Sequence, residues 1–161
     1  MKRSRAGTMP RGDRMTVSRW MTKQLVTVEA DTPVAEAWRA MQRRRIRHLP
    51  VRDRGKLVGI ISDRDVRLAF PAPAADMEVG ERRALWERLR VWQIMSRALV
   101  TVAPDTLMER AARTLLRYHI SGLPVLSDGR LVGIITETDF LRGFIALRKA
   151  HPARTRPPRA R

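Results

Sequence analysis

Sliding the sequence against itself by 74 positions aligns residues 21–70 with 95–144 without a gap, and 22 of the 50 pairs are identical. MTKQLVTVEADT faces MSRALVTVAPDT, IRHLPVRDRGKLVGIISDRD faces ISGLPVLSDGRLVGIITETD, and Phe70 faces Phe144. Two long copies separated by a spacer imply a pseudo-twofold pair of like units rather than a solenoid, whose stack needs more repeats of shorter period. Any fold for this chain must therefore use one design twice.

Each copy reads as strand, helix, strand, strand, helix. An apolar strand is expected at 25–28 and again at 99–102. A helix then opens at Asp-Thr, with Thr32 as N-cap ahead of Pro33 in one copy and a capping box of Thr106 and Glu109 in the other. Val34, Trp38 and Met41, and in the second copy Met108, Ala111, Ala112, Leu115 and Leu116, recur at helical spacing and form the expected buried stripes. Strands around Leu49-Pro50-Val51 and Leu123-Pro124-Val125 follow, then turns at Asp53-Arg54-Gly55 and Ser127-Asp128-Gly129. Strands at 57–61 and 131–135 come next, and second helices begin near Ser62 and Thr136. The fold class is α/β (α+β), two β-α-β-β-α repeats packed sheet to sheet, because three strands and two helices bury too little to stand alone. The expected organisation is a basic tail (1–14), repeat 1 (15–70), a linker (71–94), repeat 2 (95–147) and a second basic tail (148–161). Within the linker, ERRALWERLRVWQIM reads as an amphipathic helix with Leu85, Leu89 and Trp92 on one stripe, which either covers the pair or meets a second chain.

A chain of 161 residues buries roughly two-thirds of its unfolded surface and folds without staples. It has no cysteine, which excludes disulfides, thiolate metal sites and cysteine nucleophiles. No apolar run approaches the roughly 20 residues that span a bilayer, so a cytoplasmic protein with no membrane partner is expected. The net charge of +17 invites a nucleic-acid reading, but +10 of it lies in residues 1–14 and 147–161. These arginine- and proline-containing segments are expected to be disordered, and serve either as solvated tails or as contacts for an acidic partner such as nucleic acid.

The repeated pair Ser62-x-x-Asp65 and Thr136-x-x-Asp139 has two compatible readings. A hydroxyl and an acid three residues on form a helix N-cap. The same groups at a helix start can also face a ligand, the free amides toward phosphate and the carboxylate toward ribose hydroxyls. Gly59 and Gly133 are expected to let that ligand approach the strand.

With its V-T-V strand, its L-P-V strand and its L-V-G-I-I-[ST]-x-x-D signature in both halves, residues 15–147 resemble the CBS-domain family (named after cystathionine β-synthase). The match is to a tandem pair, the Bateman module, and looks most like small stand-alone bacterial proteins of the acetoin-utilisation accessory type. The resemblance implies clefts that bind an adenine nucleotide (AMP, ADP or ATP), with S-adenosylmethionine or a cyclic dinucleotide in some members. Carried onto this sequence, it gives Asp65 and Asp139 the ribose, and Ser62 and Thr136 the phosphate. Ile46, Arg47 and His48, with Ile120, Ser121 and Gly122, line the base and phosphate ends, and Val26 and Val100 press on the adenine. It also implies a homodimer with four units in a disk, joined through the second helices. Val66, Leu68 and Phe70, with Phe140, Leu141, Phe144 and Ile145, are apolar enough either for that surface or for the internal core.

Arg43, Arg44, Arg45, Arg47, His48 and Arg64 make repeat 1 cationic, where repeat 2 has Arg117, His119, Ser121, Gly122 and Glu137. Arg43 to Arg45 also suit a solvated helix end, so Arg47, His48 and Arg64 are the stronger candidates for phosphate. On this grouping the arginine-rich half binds polyphosphate and the second cleft binds less. His48, His119 and His151 make no metal spacing, and no metal site is expected; no glycine-rich phosphate loop occurs either. The function expected is a non-catalytic regulatory sensor acting on an unknown protein target. The alternative is a structural or nucleic-acid-binding adaptor that uses the dimer as platform and the basic tails as ends.

Overall fold

The computed structural model describes residues 15–69 and 79–150, leaving aside the side chains of 79–83, 149 and 150. The basic tail 1–14, most of the tail predicted from 148 onward, and Phe70 lie outside the described residues. Repeat 1 contains β1 (Val28–Glu29), α2 (Val34–Arg44), β2 (His48–Asp53), β3 (Lys56–Ser62) and α3 (Asp63–Ala69), preceded by the short α1 (Val17–Trp20). Two helices follow, α4 (Val79–Arg88) and α5 (Val91–Ile94). Repeat 2 contains α6 (Met108–Tyr118), β4 (Gly122–Ser127), β5 (Arg130–Thr136) and α7 (Glu137–Ala150).

β1 pairs parallel to β2, and β2 antiparallel to β3. β4 and β5 repeat that hairpin in the same register, from His48 opposite Ser62 to Gly122 opposite Thr136. Both loops hold positive φ at two successive residues, Arg54-Gly55 and Asp128-Gly129, the two-residue geometry that matches strand twist. The first strands are shorter than expected. β1 has two residues, and its counterpart is a single bridge of Val102 to Val125.

The apolar interior divides into two clusters. Val34, Met41, Leu49, Val51 and Ile61 centre the first, and Met108, Leu115, Leu123, Val125 and Ile135 the second. Each is completed by the segment that precedes the other repeat. Val17 of α1, with Met15, Trp20 and Met21, packs into the second cluster, while Val91 of α5, with Trp86, Leu89 and Met95, packs into the first. Main-chain bonds repeat the exchange at the 74-residue offset: Val17 N–H donates to the Thr106 carbonyl and Val91 N–H to that of Thr32. Burying one such valine contributes about 1.5–3 kcal/mol. The exchange therefore ties the repeats together through their cores.

Three departures from the sequence reading appear, the first two of them caused by this exchange. Thr32 and Thr106 do not cap α2 and α6; the helices start after Pro33 and Leu107, without a side-chain cap bond. Their first amides donate instead to the carbonyls of Leu89 and Met15. The predicted single linker helix breaks at 89–90, where Arg90 bridges to Pro33, and the break shifts its phase. Leu85 and Trp92 are exposed, whereas Trp86, Leu89 and Val91 face repeat 1, where Trp86 meets Trp38 edge-on at 6.2 Å. The linker helices thus cover the first repeat. Lastly, Leu116 is 75% exposed rather than part of the α6 stripe.

The second helices split their apolar residues. Val66 is buried and Phe140 packs on the second cluster, while Leu68, Leu141, Phe144 and Ile145 are exposed. α7 runs to Ala150, past the predicted start of the tail. No helix among the described residues is long and apolar enough to cross a membrane.

Candidate functional site

Two cavities lie between the repeats. The wider, about 1190 Å³, takes Ser62, Arg64 and Asp65 from repeat 1 and Val100, Ile120, Ser121 and Gly122 from repeat 2. The narrower, about 170 Å³, takes Thr136 and Asp139 from repeat 2 and Val26, Ile46, Arg47 and His48 from repeat 1. Almost every wall position of one is the 74-offset partner of a position in the other. Each cleft therefore crosses the repeats, which corrects the grouping drawn from sequence. Arg47 faces Asp139 rather than Asp65, His48 reaches both cavities, and the uncharged Ser121 and Gly122 stand with Arg64. The arginines of repeat 1 are divided between the two cavities.

Ser62 and Asp65 form a reciprocal cap at the start of α3. Ser62 N–H and Oγ–H both donate to Asp65 Oδ2 at 2.7 Å, and Asp65 N–H donates to Ser62 Oγ at 3.3 Å. At α7, Thr136 N–H and Oγ1–H both donate to Asp139 Oδ2 at 2.9 Å. The cap uses one oxygen of each carboxylate, and the other oxygen separates the sites. Asp139 Oδ1 accepts from Arg142 at 3.3 Å, whereas Asp65 Oδ1 has no protein partner among the described residues. His48 lines both cavities and bonds through Nε2 to Ser121 Oγ at 2.7 Å. A Cβ at Gly122, the offset partner of His48, would stand 3.1 Å from the imidazole ring. One large side chain fits there, so a residue that must be unlike in the two copies sits where they meet.

Three further wall residues carry little sequence signal. α2 and α6 end on the left-handed residues Arg45 and His119, each followed by a carbonyl bond from the next amide back to Met41 or Leu115. That reversal sets Arg45 on the narrow cleft and His119 on the wide one. Arg142 was missed because it lies a turn past Asp139, on a helix face whose surroundings belong to the other repeat. Gly59 and Gly133 do not line either cavity. A Cβ at Gly59 would lie 2.5 Å from Met95 Sδ, and one at Gly133 2.6 Å from Met21 Sδ. These glycines admit the exchanged segments, which corrects their expected role toward a ligand.

The family model for the CBS domain matches residues 17–72 and 91–146, so both halves are covered separately. The chain belongs to the CBS-domain family. It is 35% identical over 130 residues to the CBS domain-containing protein DDB_G0289609 of Dictyostelium discoideum, covering 80% of this chain and 90% of that protein. It is 34% identical to an inosine-5′-monophosphate dehydrogenase of Korarchaeum cryptofilum, where the match spans 88% of this chain and only 26% of the enzyme. CBS sequences thus occur both alone and within enzymes. Among solved structures, the CBS domain pair of protein MJ0100, in complex with 5′-methylthioadenosine and S-adenosyl-L-methionine, superposes with a TM-score of 0.69 at 30% identity, covering 83% of this chain and 98% of that one. A candidate acetoin utilization protein (AcuB) from Vibrio cholerae gives a TM-score of 0.69 at 30% identity over 84% of this chain and 94% of its own. The resemblance read from the repeated motif, down to the acetoin-utilisation type, is borne out.

At the centre of this CBS pair, burial holds the His48 imidazole below its ordinary value of 6.5, and the neighbouring charge of Arg47 pushes the same way. Asp63, Asp65 and Glu137 oppose the shift. Because the folded histidine takes up its proton less readily than the unfolded one, stability held above pH 6.5 is lost as pH falls from there toward the depressed folded value. The melting midpoint should therefore fall more steeply between pH 7 and pH 5 in the wild type than in His48→Gln. Equal slopes would show that His48 does not titrate in this way.

Proposed function

We propose that this CBS pair is a non-catalytic regulatory module whose inter-repeat clefts bind an adenine nucleotide (AMP, ADP or ATP) or a related adenosyl ligand. The observation that carries the reading is the wide cleft, where Asp65 Oδ1 is open to accept ribose hydroxyls. Val100 and Ile120 offer apolar walls for a base, and Arg64 a donor for phosphate. The bound adenosyl compounds of the MJ0100 pair support the same ligand class. Occupancy would be signalled by a shift of one repeat against the other, since both contribute to every cleft.

Thermal melts test this. A ligand at 100 times its Kd that binds only the folded chain adds about 2.7 kcal/mol and raises the midpoint by several degrees. Asp65→Ala should lower the unliganded midpoint by only about 3 °C through loss of the cap, yet remove the ligand-induced rise of the wide cleft. No rise with AMP, ADP, ATP or S-adenosylmethionine in the wild type would refute the nucleotide reading.

The exposed Leu141, Phe144 and Ile145 on α7, with Leu68 on α3, support a homodimer built on these helices. Sedimentation equilibrium should give a dimer for the wild type and a monomer for Phe144→Asp. An unchanged mass in the variant would move the interface elsewhere.

A further inference from the structure

Resting on the nucleotide reading above, we propose that the two clefts sort their ligands by charge, the narrow one taking phosphorylated adenosines such as ATP and the wide one taking an adenosyl group without a polyphosphate. The 74-residue offset makes the comparison residue by residue. Where the narrow cleft has Arg45, Arg47 and Arg142, the wide one has His119, Ser121 and Leu68. The exchange runs the other way once, with Arg64 in the wide cleft against Thr138.

Carboxylates sharpen the contrast. Glu137 lines the wide cleft beside Asp65, so one arginine there stands against two acids. Its offset partner Asp63 is ion-paired to Arg67 at 2.7 Å and does not line the narrow cleft, where three arginines stand against Asp139 alone. A triphosphate needs several cationic donors and is repelled by a neighbouring carboxylate, so it is favoured in the narrow cleft and disfavoured in the wide one. A sugar and base with no phosphate meet neither effect, and the larger volume with its leucine and valine walls suits them.

The narrow cleft is closed by two long bonds, Arg47 Nη2 to Thr138 Oγ1 and Arg142 Nη1 to Asp139 Oδ1, both at 3.3 Å. At about 170 Å³ it is below the usual size of a ligand pocket, roughly 300–1,000 Å³. An entering phosphate exchanges both bonds for charge-assisted ones to itself. Withdrawal of Arg142 then frees Asp139 Oδ1 for the ribose. Phosphate binding and ribose binding are coupled in this cleft, and in the wide one they are not.

The test is isothermal titration of the full chain with ATP and with adenosine. Arg47→Ser and Arg142→Leu, which copy the wide-cleft residues onto exposed positions, should each weaken ATP about tenfold and leave adenosine within twofold. Asp65→Ala should abolish adenosine binding while the ATP isotherm persists. Dependence of ATP on Asp65 as great as on the two arginines, or indifference of ATP to both arginine variants, would overturn the sorting and leave the nucleotide reading intact. If neither compound binds the wild type, the nucleotide reading falls, and the sorting with it.

Discussion

Val17→Asp unfolds the second repeat, although Val17 precedes the first. Its side chain is fully buried among the apolar side chains of Met108, Leu115, Leu123, Val125 and Ile135, which offer a carboxylate no partner. An unpaired charge in such surroundings costs several kcal/mol even after it is neutralised, a large share of the roughly 5–15 kcal/mol that holds a domain together. Hydrogen exchange reads the location. The milder Val17→Ala should lower the protection of β4 and β5 before that of β2 and β3, and Val91→Ala should do the reverse. Arg19→Ser, on the exposed side of the same turn, should change stability by no more than about 0.5 kcal/mol. Loss of protection confined to β2 and β3 in Val17→Ala would contradict the exchanged packing.

That exchange is also the line between what could be read from the chain and what could not. Elements with a local cause were legible. The hairpin turns follow from Arg54-Gly55 and Asp128-Gly129, the buried stripe of α2 from the spacing of Val34 and Met41, and the caps from Ser62 and Asp65 three residues apart. Whatever depends on which copy lies beside which was not. Thr32 looks like an N-cap because a threonine before Pro33 usually is one; only the arrival of Leu89 from outside the repeat supplies the α2 amide with another acceptor. Arg47 and Asp65 lie 18 positions apart in one copy, which suggests one shared site, but the pseudo-twofold axis puts Arg47 opposite Asp139. A single-copy reading cannot see that axis. The cue was present all the same, since His48 and Gly122 occupy one repeat position with the most unlike side chains in the motif.

Gly59→Ala and Gly133→Ala should each destabilise the protein by about 1–3 kcal/mol, the cost of adding a methyl group to a filled site. At Gly59 the new Cβ would fall 3.0 Å from the Ser96 carbonyl as well as 2.5 Å from Met95 Sδ, and at Gly133 it would fall 3.2 Å from the Thr22 carbonyl. The methionine can turn aside, but the carbonyls are held. Ser96 exchanges two main-chain bonds with Ile60, and Thr22 two with Ile134. Relief by the side chain is therefore partial. A double-mutant cycle separates the contributions: Gly59→Ala with Met95→Ala should cost less than the two single variants together, by about 0.5–3 kcal/mol. The same coupling is expected for Gly133 with Met21, in urea melts and without any ligand. If these glycines instead kept the strand clear for a nucleotide, the pairs would be additive and the substitutions would leave the unliganded chain unchanged. Strict additivity in both cycles would therefore restore the ligand-approach role and remove the steric reason for glycine at both positions.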